Sequence, residues 1–482
     1  MTATGYSVPL IIRGEVIEDG DVEHGGRGGD ISFRSPDVRR HLDRLPLRSP
    51  SAMADLYRLS VEEILDFLDA LGQRLTLGQN RWVQQAFDIS CRTSGLGADI
   101  LRNMYENMGM LLNRESLREV AERTIGIPHL EGWVETRLDN GLLARVRAFG
   151  SRSVHIVAGN APGTSVTTVA RNALTRGDAI IKTPSNDPLT ASAVARTMIE
   201  MAPDHPLTKH ISVAYWKGGD TEIEENLYQS ANIEKIVAWG GMASIKHIAK
   251  YIGPGVELVS LDPKLSSTII GREAFADEAT EAAVAQLLAI DAGGLNQEAC
   301  VNARVVYVQS GTDAAGIARL NRFGERLYET VQALPATLSS PAVRMDGALA
   351  DEIEALKLGG DEWYKVIGGG RNGAVIVSQD SEPVDFARLL ANRVINLVPV
   401  DDVDTPVRAV TSYTQTIGIY PESLKRELRD RLALQGAQRL VTLGSALGMA
   451  NHGIQDAIEP LRRMCRWIVE EETELPSPMQ AA

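Results

Sequence analysis

Between residues 150 and 270 the chain alternates short, nearly continuous apolar runs with longer stretches whose apolar positions recur every three or four residues. The runs at 153–157, 179–181, 211–215, 233–239, 256–260 and 267–270 predict strands. The stretches at 164–176, 189–201, 221–228 and 242–251 predict helices, the first with Gly177 as its stop. Strands apolar on both faces and joined by helices predict a parallel sheet covered on both sides. Ligands of such a sheet bind at the carboxyl ends of its strands.

The flanking regions follow different patterns. Upstream, Val8-Pro-Leu-Ile-Ile12 predicts a strand and residues 18–30 a polar loop. Ser60-Val-Glu-Glu63 has the spacing of a capping box, opening a helix with Ile64, Leu65, Phe67, Leu68 and Leu71 on one face. Helical periodicity continues from 80 to 122, so this region is read as scaffold; His24 and His41 are read as solvated and without a role. Downstream, a helix at 277–290 runs into Gly293-Gly294, a polar turn, Cys300 and an apolar run at 305–308. A second α/β region follows, with strands at 374–377, 394–400 and 416–419 and a helix at 422–435. Gly368 to Gly373 is read as a hairpin turn, and 454–471 as an amphipathic helix that buries Cys465. The expected division is a scaffold and cofactor domain over 1–292, a catalytic domain over 293–445, and a C-terminal helix over 446–482.

Composition narrows the partners. The 482 residues are 44% hydrophobic and 23% charged, as in soluble multidomain proteins, and the net charge of −14 argues against a nucleic acid partner. No stretch is long and apolar enough to span a membrane, and the N-terminal residues lack the pattern of a signal peptide, so a cytoplasmic location is expected. Cys91, Cys300 and Cys465 are too few and too scattered for a disulfide framework or a metal site.

Three strand ends carry candidate chemistry. Val157-Ala-Gly-Asn160-Ala-Pro-Gly163 places an asparagine in a glycine-rich turn, and Lys182-Thr-Pro-Ser-Asn186 follows the next strand. Trp239-Gly240-Gly241-Met242 puts paired glycines before a helix, where backbone N–H groups can meet a pyrophosphate. A G-x-G-x-x-G fingerprint is absent. At the helix-to-strand junction Cys300 has two readings, a reactive thiol with an oxyanion-binding backbone or a small buried apolar residue.

Taken in order, a strand ending in Asn, a strand ending in Lys-x-Pro-Ser, a Gly-Gly turn and Gln-x-x-Cys-x-x-x-Arg resemble the aldehyde dehydrogenase superfamily. Within it the chain is similar to the fatty acyl-CoA reductases of bacterial bioluminescence. That similarity is carried by Val8-Pro-Leu-Ile-Ile12, Ser60-Val-Glu-Glu-Ile64, Trp239-Gly-Gly241, Asp262-Pro-Lys264, Asn296-Gln-Glu-Ala-Cys300, Gln415-Thr-Ile-Gly418 and Pro460-Leu-Arg-Arg-Met-Cys-Arg-Trp467. The resemblance implies an α/β aldehyde dehydrogenase-like fold, with a parallel-sheet cofactor domain and a second α/β catalytic domain.

It also implies roles. Cys300 corresponds to the nucleophile, Asn160 with the Cys300 N–H to the oxyanion hole, Lys182 to a contact of the adenosine ribose, and Gly240-Gly241 to the pyrophosphate turn. Ser260 stands where oxidising relatives have the glutamate that activates water, which is expected of acyl exchange between thiols. The superfamily's Glu-x-Phe-Gly-Pro element has no clear counterpart near 391–394, and Ile454-Gln-Asp456-Ala stands where relatives have Pro-His-Asp-Gly. Asn186 replaces an acidic ribose ligand, so neutral Asn186 beside cationic Lys182 favours NADPH.

The implied activity is NADPH-dependent reduction of acyl-CoA, or another activated acyl donor, to an aldehyde through an acyl-cysteine. A homo-oligomer and an acyl-protein synthetase partner accompany it in the family. The competing readings are an oxidative or CoA-acylating aldehyde dehydrogenase and a non-catalytic relative that scaffolds a biosynthetic partner.

Overall fold

A computed structural model describes residues 6–25, 31–139, 142–261, 264–448 and 453–472. The chain divides into two compact units. The first comprises Met1–Thr93, Met104–Asp262 and Ala450–Ala482, and the second Ser94–Asn103 and Pro263–Met449.

The first unit is built on a seven-stranded sheet. Its order is Glu257–Leu261, Lys235–Trp239, Arg152–Ile156, Asp178–Lys182, Ile211–Ala214, Leu10–Ile12 and Glu15–Ile17. The first five strands are parallel, in the registers Val259↔Val237, Ile236↔Val154, Val154↔Ile180 and Val213↔Ile181. The N-terminal hairpin extends the sheet antiparallel at its edge. From Arg152–Ile156 the chain first steps outward through Asp178–Lys182 and Ile211–Ala214. It then returns to the other side of the starting strand as Lys235–Trp239. This reversal places the topological switch point at the carboxyl ends of Arg152–Ile156 and Lys235–Trp239, where α/β sheets take their ligands.

The helix Val61–Arg74 starts with the expected capping box: Ser60 and Glu63 satisfy each other's backbone N–H groups. The helix Gly163–Thr175 ends differently from expectation. Arg176, not Gly177, takes the left-handed position, at φ 55°. Its guanidinium is buried and donates to the Leu130 and Leu59 carbonyls, and these bonds hold a conformation unusual for a side-chain-bearing residue. Gly177 is needed for close approach, since a Cβ there would lie 2.7 Å from Asn172 Oδ1 and 2.8 Å from the Ser151 carbonyl.

The expected C-terminal helix is corrected by the structure. Only Pro460–Met464 is helical; Arg466–Glu472 is a strand, paired antiparallel with Leu143–Phe149. The run Trp467-Ile-Val469 favours an extended chain, and seven register pairs satisfy its backbone. Cys465 is buried as expected, its thiol pushed up to about 12 by burial.

The second unit has its own seven-stranded sheet: Tyr364–Gly368, Ala374–Ser378, Val394–Pro399, Ala303–Val308, Leu265–Ile270, Thr414–Tyr420 and Arg439–Thr442. All neighbours are parallel except the first pair, the hairpin around Gly369 to Gly373. Ile270 packs with Val284, Leu288 and Phe323, whereas its neighbour Ile269 packs with Leu428 and Leu432, so helices cover both faces. The strand Leu265–Ile270 and the helix Glu278–Gly293, read from sequence as part of the first domain, belong here. Pairing with strands 36 or more residues away decided their sheet, and no local pattern encodes that choice.

Candidate active site

The first unit brings three sequence-predicted positions together at neighbouring strand ends. Lys235–Trp239, Arg152–Ile156 and Asp178–Lys182 lie side by side, so Gly240, the Asn160 turn and Lys182 leave the same edge of one sheet. Asn160 is exposed in the turn before the helix Gly163–Thr175. Its neighbour Gly159 lies against Asn186: the Asn186 Nδ2 donates to the Gly159 carbonyl at 2.9 Å. A Cβ on Gly159 would fall 2.0 Å from Asn186 Oδ1. The Asn186 carbonyl in turn accepts from Thr93 Oγ1 at 2.9 Å.

Lys182 is set among aromatic rings, its Nζ 5.7 Å from the Tyr215 centroid and 5.6 Å from that of Trp216. Burial lowers the ammonium's pKa to about 8, with Glu224 opposing the shift from a distance. Among the described residues no carboxylate lies within salt-bridge distance of it, so the ordinary surface ion pair that such a lysine often makes is absent. Gly240 and Gly241 precede the helix Met242–Ile248; a side chain on Gly240 would crowd Ser244 at 3.1 Å, whereas space beside Gly241 is open. Ser260 closes toward the end of the neighbouring strand, paired with Ala238. Asp262 and Pro263 of the quoted motif lie outside the described residues.

Behind the Gly240 turn lies a group that the sequence reading left without a role. Arg171 stacks 5.4 Å from the Trp239 ring and donates to Gln455 Oε1 at 2.7 Å. Burial lowers its pKa to about 10 and the charge of Asp456 opposes this, so Asp456 serves as its electrostatic partner.

The second unit carries the thiol. Cys300 is exposed, which removes the reading of a small core residue. The segment before it is unusual: Leu295, Asn296 and Gln297 all have positive φ, at 50°, 54° and 63°. Buried side-chain hydrogen bonds hold that shape. Gln297 donates to the Ala303 carbonyl and accepts from the Val394 N–H, both at 2.9 Å. Asn296 accepts from the Ser340 N–H at 2.9 Å. Asn302 accepts from the Ala299 N–H at 3.0 Å and donates to the Asp291 carbonyl at 2.9 Å. Ser266 Oγ donates to the Cys300 carbonyl at 2.7 Å and accepts from the Thr416 N–H at 3.1 Å.

Two guanidinium groups share Cys300 as a charge partner. Arg304 is shifted down by burial, with Glu298 and Cys300 opposing; Arg439 is shifted down by burial, with Asp291 and Cys300 opposing. Glu298 is held by Asn392 Nδ2 at 2.8 Å, and Asn392 and Arg393 have φ of 55° and 67°. The segment without the superfamily's Glu-x-Phe-Gly-Pro pattern thus braces the loop before the cysteine.

Sequence reasoning missed Ser266, Arg439 and Asp291. Asp291 accepts from the Gly444 and Ala446 N–H groups at 2.7 and 2.8 Å, and Arg439 donates to the Ala446 carbonyl at 2.7 Å and to that of Gly448. A lone acid at the end of the apolar run Leu287-Leu-Ala-Ile290 was the one available signal.

Two parallel-stranded units, one with glycine-rich turns at its strand ends and one with an exposed thiol, define an aldehyde dehydrogenase-like α/β protein. The chain superposes on aldehyde dehydrogenase 21 from Physcomitrella patens, in complex with the reaction product succinate, at a TM-score of 0.75. That match has 14% identity and covers 99% of this chain and 100% of the other. An NADP-dependent glyceraldehyde-3-phosphate dehydrogenase from Bacillus halodurans C-125, complexed with NADP, gives 0.73 at 13% identity over 97% and 99%. A long-chain acyl-protein thioester reductase of Vibrio harveyi is 27% identical over 471 residues, covering 96% of this chain and 93% of that protein. The family model "Acyl-CoA reductase (LuxC)" matches residues 56–467, and the chain belongs to that family.

Proposed function

We propose that the protein reduces an acyl thioester to the aldehyde through a thioester on Cys300, with NADPH as the reductant. The observation that carries this reading is the exposed Cys300, in a loop fixed by buried amides, with Arg304 and Arg439 among its electrostatic neighbours. The thiolate attacks the acyl carbonyl, the donor thiol leaves, and the acyl group stays on sulfur. The chemistry requires an amide donor at the carbonyl oxygen, the role assigned to Asn160 and the Cys300 N–H; a single such donor is worth about 3–4 kcal/mol.

Buried, cationic Lys182 beside neutral Asn186 suits a ribose 2′-phosphate, and the open Gly241 turn suits a pyrophosphate. When bound, NADPH supplies the hydride that reduces the acyl carbon. Ser260 offers no carboxylate to activate water, so the acyl group is kept for reduction. The Vibrio harveyi relative's name supports an acyl-protein as donor. Loading by a partner synthetase and a homo-oligomeric assembly are further parts of the proposal. No described helix is long and apolar enough to cross a membrane.

Intact-mass analysis after incubation with a panel of acyl-CoAs tests the proposal. One acyl adduct per chain is expected, located at Cys300 by digestion and discharged as aldehyde when NADPH is added. Full aldehyde formation by Cys300→Ala would refute it. Rapid CoA-free oxidation of aldehydes to acids would favour the oxidative reading instead.

A further inference from the structure

The Asn186 side chain is turned away from the role that its position suggests. It follows Lys182-Thr-Pro-Ser, yet its amide reaches across to the turn that carries Asn160. Three observations make this a built contact. The Nδ2–Gly159 O bond is 2.9 Å long, and the fit is so close that a Cβ at Gly159 would lie 2.0 Å from Oδ1 and 2.6 Å from Cγ. The Asn186 backbone is itself tied to Thr93 Oγ1, at the end of the helix Arg81–Thr93. The next residue, Asp187, accepts from the Thr190 N–H and hydroxyl at the start of the helix Thr190–Met201, so the segment beneath the amide is anchored from both sides.

From this geometry we infer that Asn186 is a positioning residue for the oxyanion donor, acting through the Gly159 carbonyl on Asn160. The inference rests on the assignment of Asn160 above. The peptide that the Asn186 amide grips is the one whose N–H belongs to Asn160, so losing the bond frees the turn at its centre. An aspartate at 186 keeps the shape but sets a carboxylate oxygen against the Gly159 carbonyl, and the two repel. A displacement of about 1 Å at a reacting group costs on the order of a hundredfold in rate. It follows that exchanging Asn186 for an acid, the obvious way to shift the chain toward NADH, disables acyl transfer.

Cofactor-free acylation provides the test. Wild type, Asn186→Ala, Asn186→Asp, Asn160→Ala and the double variant Asn160→Ala/Asn186→Ala are mixed with hexadecanoyl-CoA, and adduct growth at Cys300 is followed by intact mass. Folding is checked separately by circular dichroism and thermal melting. Acylation ten- to a hundredfold slower in Asn186→Ala and Asn186→Asp is expected, with circular dichroism and thermal melting like those of wild type. The double variant should be no slower than Asn160→Ala, since one residue acts through the other. Wild-type acylation in the Asn186 variants, or additive losses in the double variant, overturns the inference. Wild-type circular dichroism and melting show that the variants are folded. Should Asn160→Ala acylate at the wild-type rate, the oxyanion assignment fails instead, and the two failures are thereby told apart.

Discussion

Lys182 shows how burial tunes a single residue for its task. Tyr215 and Trp216 strip water from the ammonium, lowering its pKa to about 8 and leaving it charged at neutral pH but sensitive to mild alkali. An anion bound there stabilises the charged form, so affinity for NADPH should fall as pH rises through 8 and beyond. Titrations at pH 7 and 9 are expected to differ several-fold for wild type and far less for Lys182→Arg, whose guanidinium stays protonated. Lys182→Met should weaken NADPH about tenfold or more at pH 7. Equal affinity for NADPH in Lys182→Met would sink the assignment. The motif made this lysine visible in the sequence. The aromatic rings beside it were not visible, because Tyr215 and Trp216 follow the strand Ile211–Ala214, some thirty residues on.

Local rules served well for whole elements wherever the deciding contacts lie within a few residues. The capping box of Val61–Arg74 is such a case, and Ser60→Ala should cost about 1 kcal/mol in chemical denaturation without altering acylation of Cys300. Asp291 is the opposite case. Its carboxylate organises the Gly444 to Gly448 loop, whose carbonyls orient Arg439, and Gly418 must lack a side chain because a Cβ would lie 2.9 Å from Asp291 Oδ2. Asp291→Ala leaves two backbone N–H groups unanswered, so a loss of about 2–4 kcal/mol is expected. Aldehyde formation should also slow as Arg439 loses its support. A variant with unchanged denaturation midpoint and rate would refute this account. The C-terminal strand failed to show itself for the same reason that Asp291 did: its partner Leu143–Phe149 lies over three hundred residues back.

For the molecule as a whole, the shifted groups combine into a pH profile. Burial raises Asp187 and Asp291 to about 6. Folding then takes up protons between about pH 4 and 6, and stability declines as pH rises across that window, by about 3 kcal/mol per group. His210 is lowered by burial but raised further by Asp178 and Asp55, which flank it at 2.8 and 3.0 Å, so its net shift is upward. Its contribution is present below the ordinary histidine range and lost as pH climbs through its raised pKa. Asp277 and Asp401, held low by hydrogen bonds to Thr280 and Thr312, act oppositely, and their contribution disappears only in stronger acid. The urea midpoint should therefore peak near pH 4 and fall toward pH 8. A midpoint that climbs steadily from pH 5.5 to 8 would contradict this reading.

By itself, the sequence determined the alternation of strands and helices, the turns at Asn160, Lys182 and Gly240, and a cysteine at a helix-to-strand junction. These depend on apolar periodicity, caps and turn residues, whose causes act over a few positions. The tertiary structure decided which strands share a sheet, that the tail is a strand, that Arg176 and not Gly177 turns left-handed, and which charges surround Cys300. Those outcomes depend on hydrogen bonds and burial between residues tens to hundreds of positions apart. Nothing in a local window reports them.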